Sequence, residues 1–136
     1  MARLAEQERA RNAHEAVKRW AAPAVSDKDK KAYRQELQQL PARILASGLG
    51  QTLAFYASKG GVENRGVEAD VGAELARFLI KKPRCIDLLE HLTRENLDLA
   101  EYRRLTREAL AYAEWLKRYA AALLPKPDSG RAEGGS

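Results

Sequence analysis

Cysteine occurs once in this 136-residue chain, at Cys85, so no intramolecular disulfide can form. Histidine occurs twice, at His14 and His91, and one thiol with two imidazoles cannot assemble the usual structural zinc sets. No stretch approaches the roughly 20 apolar residues that a bilayer-crossing helix requires. The opening MARLAEQERARNAHEAV has positive charge but no uninterrupted apolar run behind it, which is not the pattern of a secretory leader. Valine, isoleucine and threonine, the strand formers, are sparse. These absences set the expectation of a cytoplasmic protein in a reducing setting, with no membrane segment, no metal and no cofactor.

Motifs of catalysis are missing as well. Gly48 and Gly50 are not followed by the Gly-Lys-Ser/Thr of a phosphate loop, and they read as a break between two packed helices. VENRGVEAD lacks the ligand spacing of a calcium loop. Asp27 and Asp29 read as caps, while Glu63, Glu68 and Asp70 flank a loop and a helix start, where acids favour the helix dipole. Lys82 and Arg84 beside Cys85 could lower a thiol pKa, but Cys85 also continues an apolar stripe with Leu88 and Leu89, and a packed thiol is the better reading. His14 follows core position Ala13 on a charged helix, and His91 sits where a helix end leaves free carbonyls. No nucleophile–base pair emerges, and the expectation is a protein that is not an enzyme.

What is present is helix-forming material. Alanine, leucine, glutamate, glutamine, lysine and arginine dominate, and 15.2 kDa gives room for one domain with one core. A first helix is expected from about Ala2 to Ala22, with Ala13, Val17 and Trp20 on one face and Pro23 ending it. Ser26 with Asp29 forms a capping signal for a second helix, whose stripe is Tyr33, Leu37, Leu40 and Ile44. Pro41 lies inside that stripe and either kinks the helix or splits it. Gly48 ends this segment; Leu49, Leu53 and Tyr56 open a short helix that closes at Gly60-Gly61, and GGVENRG reads as a loop. Val71, Leu75, Phe78 and Leu79 mark a fourth helix, and Cys85, Leu88, Leu89 and Leu92 a short fifth.

Asp98 and Glu101 start the last helix. There Tyr102, Leu105, Ala109, Tyr112, Leu116, Tyr119 and Leu123 alternate steps of 3 and 4, a seam that suits a coiled-coil surface or, better in a small bundle, the backbone of the core. The expectation is therefore an all-α, compact single-domain bundle of five to six helices over residues 1–124. A Pro/Gly/Ser tail over 125–136 has little to bury and is expected to be disordered.

Charge is distributed unevenly. Residues 1–60 carry 11 Lys/Arg against 6 Asp/Glu, and residues 61–136 carry 13 of each, so the whole excess of +5 lies in the first part. Such an excess fits a polyanion site or a solvated helix face. Lys18 and Arg19 close the first helix, and Lys28, Lys30, Lys31 and Arg34 open the second across a short turn. Arg43 and Lys59 extend the series. Lys18, Arg19, Lys28, Lys31, Arg34, Arg43 and Lys59 are the candidate nucleic-acid contacts, made to phosphates and not to bases, with affinity that falls steeply as salt rises. Trp20 and Tyr33 could stack on bases, yet both sit on apolar stripes and read as core. Arg103, Arg104 and Arg107 are balanced by Glu101 and Glu108 and read as a salt-bridged face.

Two stretches resemble a known family. LPARILASGLGQTLAFYASKG, residues 40–60, resembles the central signature of the small helical subunit of type III-B CRISPR effector complexes, the Cmr family: a leucine-proline pair, a glycine-leucine break at Gly48-Leu49, and an ALAF-like helix. EYRRLTREALAYAEWLKRYAAALL, residues 101–124, resembles that family's C-terminal helix, and RARNAHEAVKRW sits where the family has a charged first helix. Ser47 stands where the family more often has asparagine; either can satisfy a helix end. The resemblance covers most of residues 3–123.

The resemblance implies a helical bundle whose copies stack as a minor filament beside the backbone subunits that hold a guide RNA. Its basic surface would stabilise paired guide and target RNA, with chemistry left to the backbone and large subunits. The alternative is a helical protein-interaction adaptor with no direct nucleic-acid contact. A helix-turn-helix reading through Gly48 fails, because GQTLAFYAS has hardly any basic side chain to present to base edges.

Overall fold

The computed structural model describes residues 2–61 and 66–126. The centre of the expected glycine-rich loop (62–65) and the expected tail from residue 127 onward lie outside the described residues. Among the described residues the chain forms five α-helices, one π turn and no strand. They are α1 (Ala2–Trp20), α2 (Asp27–Tyr56), a π turn (Ala57–Gly61), α3 (Gly66–Ile80), α4 (Cys85–Thr93) and α5 (Leu99–Leu123).

α1 stops two residues short of the expected Ala22, where the amide of Ala21 donates to the Val17 carbonyl at 2.9 Å ahead of Pro23. Ser26 then caps α2, its hydroxyl accepting from the amide of Asp29 at 3.1 Å. Pro41 does not split α2; Gly48 alone within it leaves helical φ/ψ. The proline removes a single amide. Leu37, Leu40 and Ile44, all buried on one stripe around it, hold the turns on either side in register.

Gly48 takes φ 86° and ψ 158°, a region open only to a residue without Cβ. The helix that resumes beyond it has orphan amides at its new start. One is satisfied from across the bundle: the Gly50 amide donates to the Tyr102 hydroxyl of α5 at 2.9 Å. The break expected at Gly48 is thus a one-residue interruption inside a continuous element.

α5 is the spine. It packs along α1 and α2, while α3 and α4 close on α2 and the π turn. Asp98 caps it by accepting from the Glu101 amide at 2.8 Å. Of the expected seam, Leu105, Ala109, Tyr112 and Leu116 are buried, Tyr102 and Tyr119 are half-buried, and Leu123 is exposed, its place taken by Ala120 and Leu124. A strict 3.5-residue repeat drifts around a straight helix of 3.6 residues per turn, which is why the seam leaves the core at its end. Phe78 of α3 stacks on Tyr112 at 4.0 Å between centroids, and Trp20 on Tyr33 at 4.4 Å.

Gly72 lets α3 and α4 meet closely. A Cβ there would stand 2.5 Å from the Sγ of Cys85 and 3.1 Å from the Cβ of Tyr56. Cys85 is buried, donates weakly to the Leu53 carbonyl at 3.4 Å, and its thiol is pushed up to about 12 by burial. It is a packed thiol, as its place on the stripe implies.

Candidate nucleic-acid interface

The basic residues divide into two groups once their partners are known. Lys18 lies exposed on the last turn of α1, and Lys28 is exposed in the first turn of α2. The two flank the turn that joins these helices. Lys31 is half-buried and Lys59 is exposed on the π turn, its Nζ 5.6 Å from the Phe55 ring centroid.

The three arginines are engaged within the bundle. Arg19 Nη2 donates to Glu74 Oε1 at 2.8 Å, although its side chain remains 56% exposed. Arg34 Nη1 donates to the Leu124 carbonyl at 2.9 Å and so closes the end of α5. Arg43 donates through Nε to Glu36 Oε2 at 2.7 Å and through Nη2 to Gln39 Oε1 at 2.8 Å. Its guanidinium also lies 4.6 Å above the Phe55 ring. The hydrogen bond to Glu36 raises the Arg43 pKa.

Two buried carboxylates organise this arrangement, and neither stands out as a site residue in the sequence. Glu36 accepts from Arg43 and from the Tyr56 hydroxyl at 2.7 Å. Glu74 accepts from Arg19, from Arg77 Nη2 at 2.8 Å and from the Tyr112 hydroxyl at 2.6 Å. Burial first, then the adjacent carboxylate, pushes the phenols of Tyr56 and Tyr112 well above their ordinary range. A signal does exist: Glu36 falls between Tyr33 and Leu40, and Glu74 between Val71 and Phe78, at i+3 and i−4 on apolar stripes. A carboxylate in such a position must be paired when the stripe is buried.

Asp70, expected as an N-terminal dipole partner, also receives the Trp20 indole N–H at 2.8 Å and Arg77 at 3.3 Å. Trp20 is thereby stacked and hydrogen-bonded inside the protein, and Tyr33 is buried, as their positions on apolar stripes imply. His14 stacks on Tyr119 at 5.0 Å. His91 lies beside Arg94, and burial followed by that charge lowers its pKa. On the expected salt-bridged face, Arg104 pairs with Glu101 at 2.8 Å, and Arg9 reaches Glu108 from α1 at 2.8 Å.

Three surface grooves are notable. One of about 430 Å³ follows the second half of α2 and is lined by Arg43, Ser47, Gln51, Thr52 and Phe55. Another of about 430 Å³ lies between α1 and α5 around Glu6, Glu114, Trp115 and Arg118. A third, of about 370 Å³, shares Arg43 and includes Glu36, Gln39 and Glu68. Among the described residues no group of three or more His, Cys, Asp or Glu is arranged to hold a metal ion, and no helix is long and apolar enough to cross a membrane.

The fold and surface define an all-α bundle that displays cationic and polar grooves. Residues 5–123 match the family described as CRISPR-associated protein (Cas_Cmr5). The curated protein "CRISPR system Cmr subunit Cmr5" of Thermus thermophilus is 43% identical over 94 residues, which is 68% of this chain and 75% of that protein. The X-ray crystal structure of a CRISPR-associated Cmr5 family protein from the same organism matches with a TM-score of 0.70 at 34% identity, covering 88% of this chain and 97% of that chain. The chain belongs to the Cmr5 family, the small Cmr subunits that residues 40–60 and 101–124 resemble.

Proposed function

We propose that this chain is a non-catalytic small subunit of a type III-B RNA-guided complex, acting in the cytoplasm. Residues 1–124 form its single domain and 125–136 a tail. Copies stack as a minor filament beside the backbone and large subunits, and the basic surface stabilises paired guide and target RNA. Membership of the Cmr5 family is the observation that carries this reading.

The surface supports it in a specific way. Exposed Lys18 and Lys28 flank one turn, with half-exposed Arg19 beside them, so the end of α1 and the start of α2 together present a net positive charge over the exposed Asp27 and Asp29. Lysine ammonium groups of this kind neutralise phosphates without reading sequence.

The test is assembly and salt response. The full chain joins a guide-loaded complex, and its own RNA affinity falls linearly on a log–log plot against salt. Lys18→Glu with Lys28→Glu lowers RNA affinity and flattens that slope. Arg34 is left intact in this variant, because it closes α5. Failure of the wild-type chain to enter the complex refutes the reading. Assembly lost in the double variant at unchanged RNA affinity favours instead an adaptor that touches only protein. That second reading is supported by Arg19, Arg34 and Arg43 each having a partner within the bundle.

A further inference from the structure

The groove along the second half of α2 joins a fixed planar cation to the Phe55 ring beneath it and to two exposed polar side chains, a set that the third groove, which shares Arg43, does not have. Glu36 and Gln39 occupy in-plane donors of Arg43, and Phe55 covers one face of its guanidinium. The side chain is nonetheless 33% exposed, and its open part lines the groove. Ser47 and Gln51, both exposed and one turn apart, line the same groove. Thr52 also lines it, but its hydroxyl is engaged, donating to the Gly48 carbonyl at 2.9 Å. The backbone interruption at Gly48 lies between Ser47 and Gln51, within the stretch of helix that forms this wall.

Each component selects among ligands. A carboxylate-bearing peptide would want a bidentate fork, but Glu36 and Gln39 already take Nε and Nη2 of Arg43 and leave only Nη1 for a ligand. A bare phosphate would have no use for a planar face beside an amide side chain. A flat, hydrogen-bonding ring suits both, since aromatic rings stack on guanidinium planes and Gln51 can both donate and accept. Lys59, exposed and with its Nζ 5.6 Å from the Phe55 ring centroid, supplies the charge for a phosphate attached to that ring.

We propose that this groove takes an unpaired nucleobase of single-stranded RNA, stacked on the guanidinium of Arg43 with its edge on Gln51 and a neighbouring phosphate on Lys59. The inference rests on the reading that RNA reaches this chain. It adds that one part of the surface contacts bases, where the lysines around the α1–α2 turn contact phosphates only. Bound bases are unstacked from their neighbours at this point, and the contact tolerates different bases because every base has a π face.

The experiment compares two short oligoribonucleotides of equal charge at low salt: one carrying 2-aminopurine, the other abasic along its length. Wild type binds the first more tightly and changes the 2-aminopurine fluorescence, as stacking does. Arg43→Lys keeps the charge and loses the plane, so affinity for the base-bearing strand drops about fivefold or more, the scale of one lost base stack, while the abasic strand is unaffected. Ser47→Leu fills the groove from an exposed position and leaves Arg43 with its bonds to Glu36 and Gln39, and gives the same selective loss even where Arg43→Lys weakens the fold. Equal binding of both strands by wild type, or equal losses on both in the Ser47→Leu variant, overturns the base contact and leaves phosphate binding intact. Absence of any RNA binding by wild type, free and in the complex, overturns the proposed function with it. Competition by an acidic peptide that Ser47→Leu abolishes overturns the choice of ligand.

Discussion

Glu74 is the residue whose replacement most directly tests how the bundle handles its charge. Its carboxylate is only 7% exposed and accepts from Arg19, from two nitrogens of Arg77 and from Tyr112, so it joins α1, α3 and α5 at one point. Glu74→Gln keeps the shape. The amide turns its oxygen to the arginines and its NH2 to the Tyr112 hydroxyl, so contacts persist but charge assistance is lost. A hydrogen bond to a charged group is worth about 1.5–3 kcal/mol and a neutral one about 0.5–1.5 kcal/mol. Each well-placed bond therefore loses roughly 1 kcal/mol, and the bond to half-exposed Arg19 is discounted for solvent screening.

The expected loss is about 2 kcal/mol, which for a chain of this size lowers Tm by roughly 6–10 °C. Urea unfolding followed by far-ultraviolet circular dichroism measures it, and a cycle with Tyr112→Phe isolates the coupling. A loss below about 0.5 kcal/mol, within the range of ordinary surface substitutions, refutes the view that Glu74 is a paired buried charge. The same variant leaves the charge of Arg19 unneutralised beside Lys18. Under the proposed function its RNA affinity rises, and the salt slope steepens by up to about one unit.

Other outcomes follow from the packing. Gly72→Ala gains about 1 kcal/mol of helix propensity but puts a methyl group against Cys85 and Tyr56, an overpacking cost of about 1–3 kcal/mol; net stabilisation in urea would show the contact to be loose. Tyr102→Phe orphans the Gly50 amide, costs about 1 kcal/mol, and speeds hydrogen exchange at Gly50 more than at Leu53. Stability also falls on the alkaline side. The folded thiol of Cys85 keeps its proton up to about 12, while the unfolded thiol loses its own near 9.0. The unfolded chain then binds fewer protons, so stability present below 9.0 is lost as pH rises, by up to about 1.4 kcal/mol per unit. Between about pH 9 and 10, before ordinary tyrosines titrate, that slope is absent from Cys85→Ala.

Most of the fold is legible in the sequence because it rests on local rules. The Ser26 and Asp98 caps, the stripes of α2 and α5 and the break at Gly48 each follow from residue type and spacing. Pro41 disturbs α2 less than its residue type suggests, since the penalty of one missing amide is local and the stripe around it is not. The candidate site is less legible. Charge spacing brings Lys18, Arg19 and Lys28 to one turn, but only tertiary contact shows that Arg34 closes α5 or that Arg43 rests on Phe55. Partners 90 residues away in the chain, as for Arg34 and Leu124, leave no periodic trace.

The division between arginine and lysine in the candidate surface has a physical basis. Arg19, Arg34 and Arg43 carry rigid forks of donors that are less strongly hydrated than an ammonium, so they serve well against the buried carboxylates of Glu74 and Glu36 and the last carbonyl of α5. Lys18, Lys28 and Lys59 carry compact, strongly hydrated charges that gain little from such geometry and stay at the surface. The net charge of +5 therefore overstates some parts of the surface and understates others. Glu36 and Glu74 sit in the core and neutralise the arginines there, while the lysines around the α1–α2 turn are offset only by the exposed Asp27 and Asp29. Under the proposed function, a polyanion approaching this chain is steered by lysines and meets at the α2 groove an arginine plane fixed over an aromatic ring. Charge reversal at Lys18 and Lys28 should accordingly slow association with RNA and weaken its salt dependence, whereas loss of the Arg43 plane should speed dissociation and leave the salt dependence as it was.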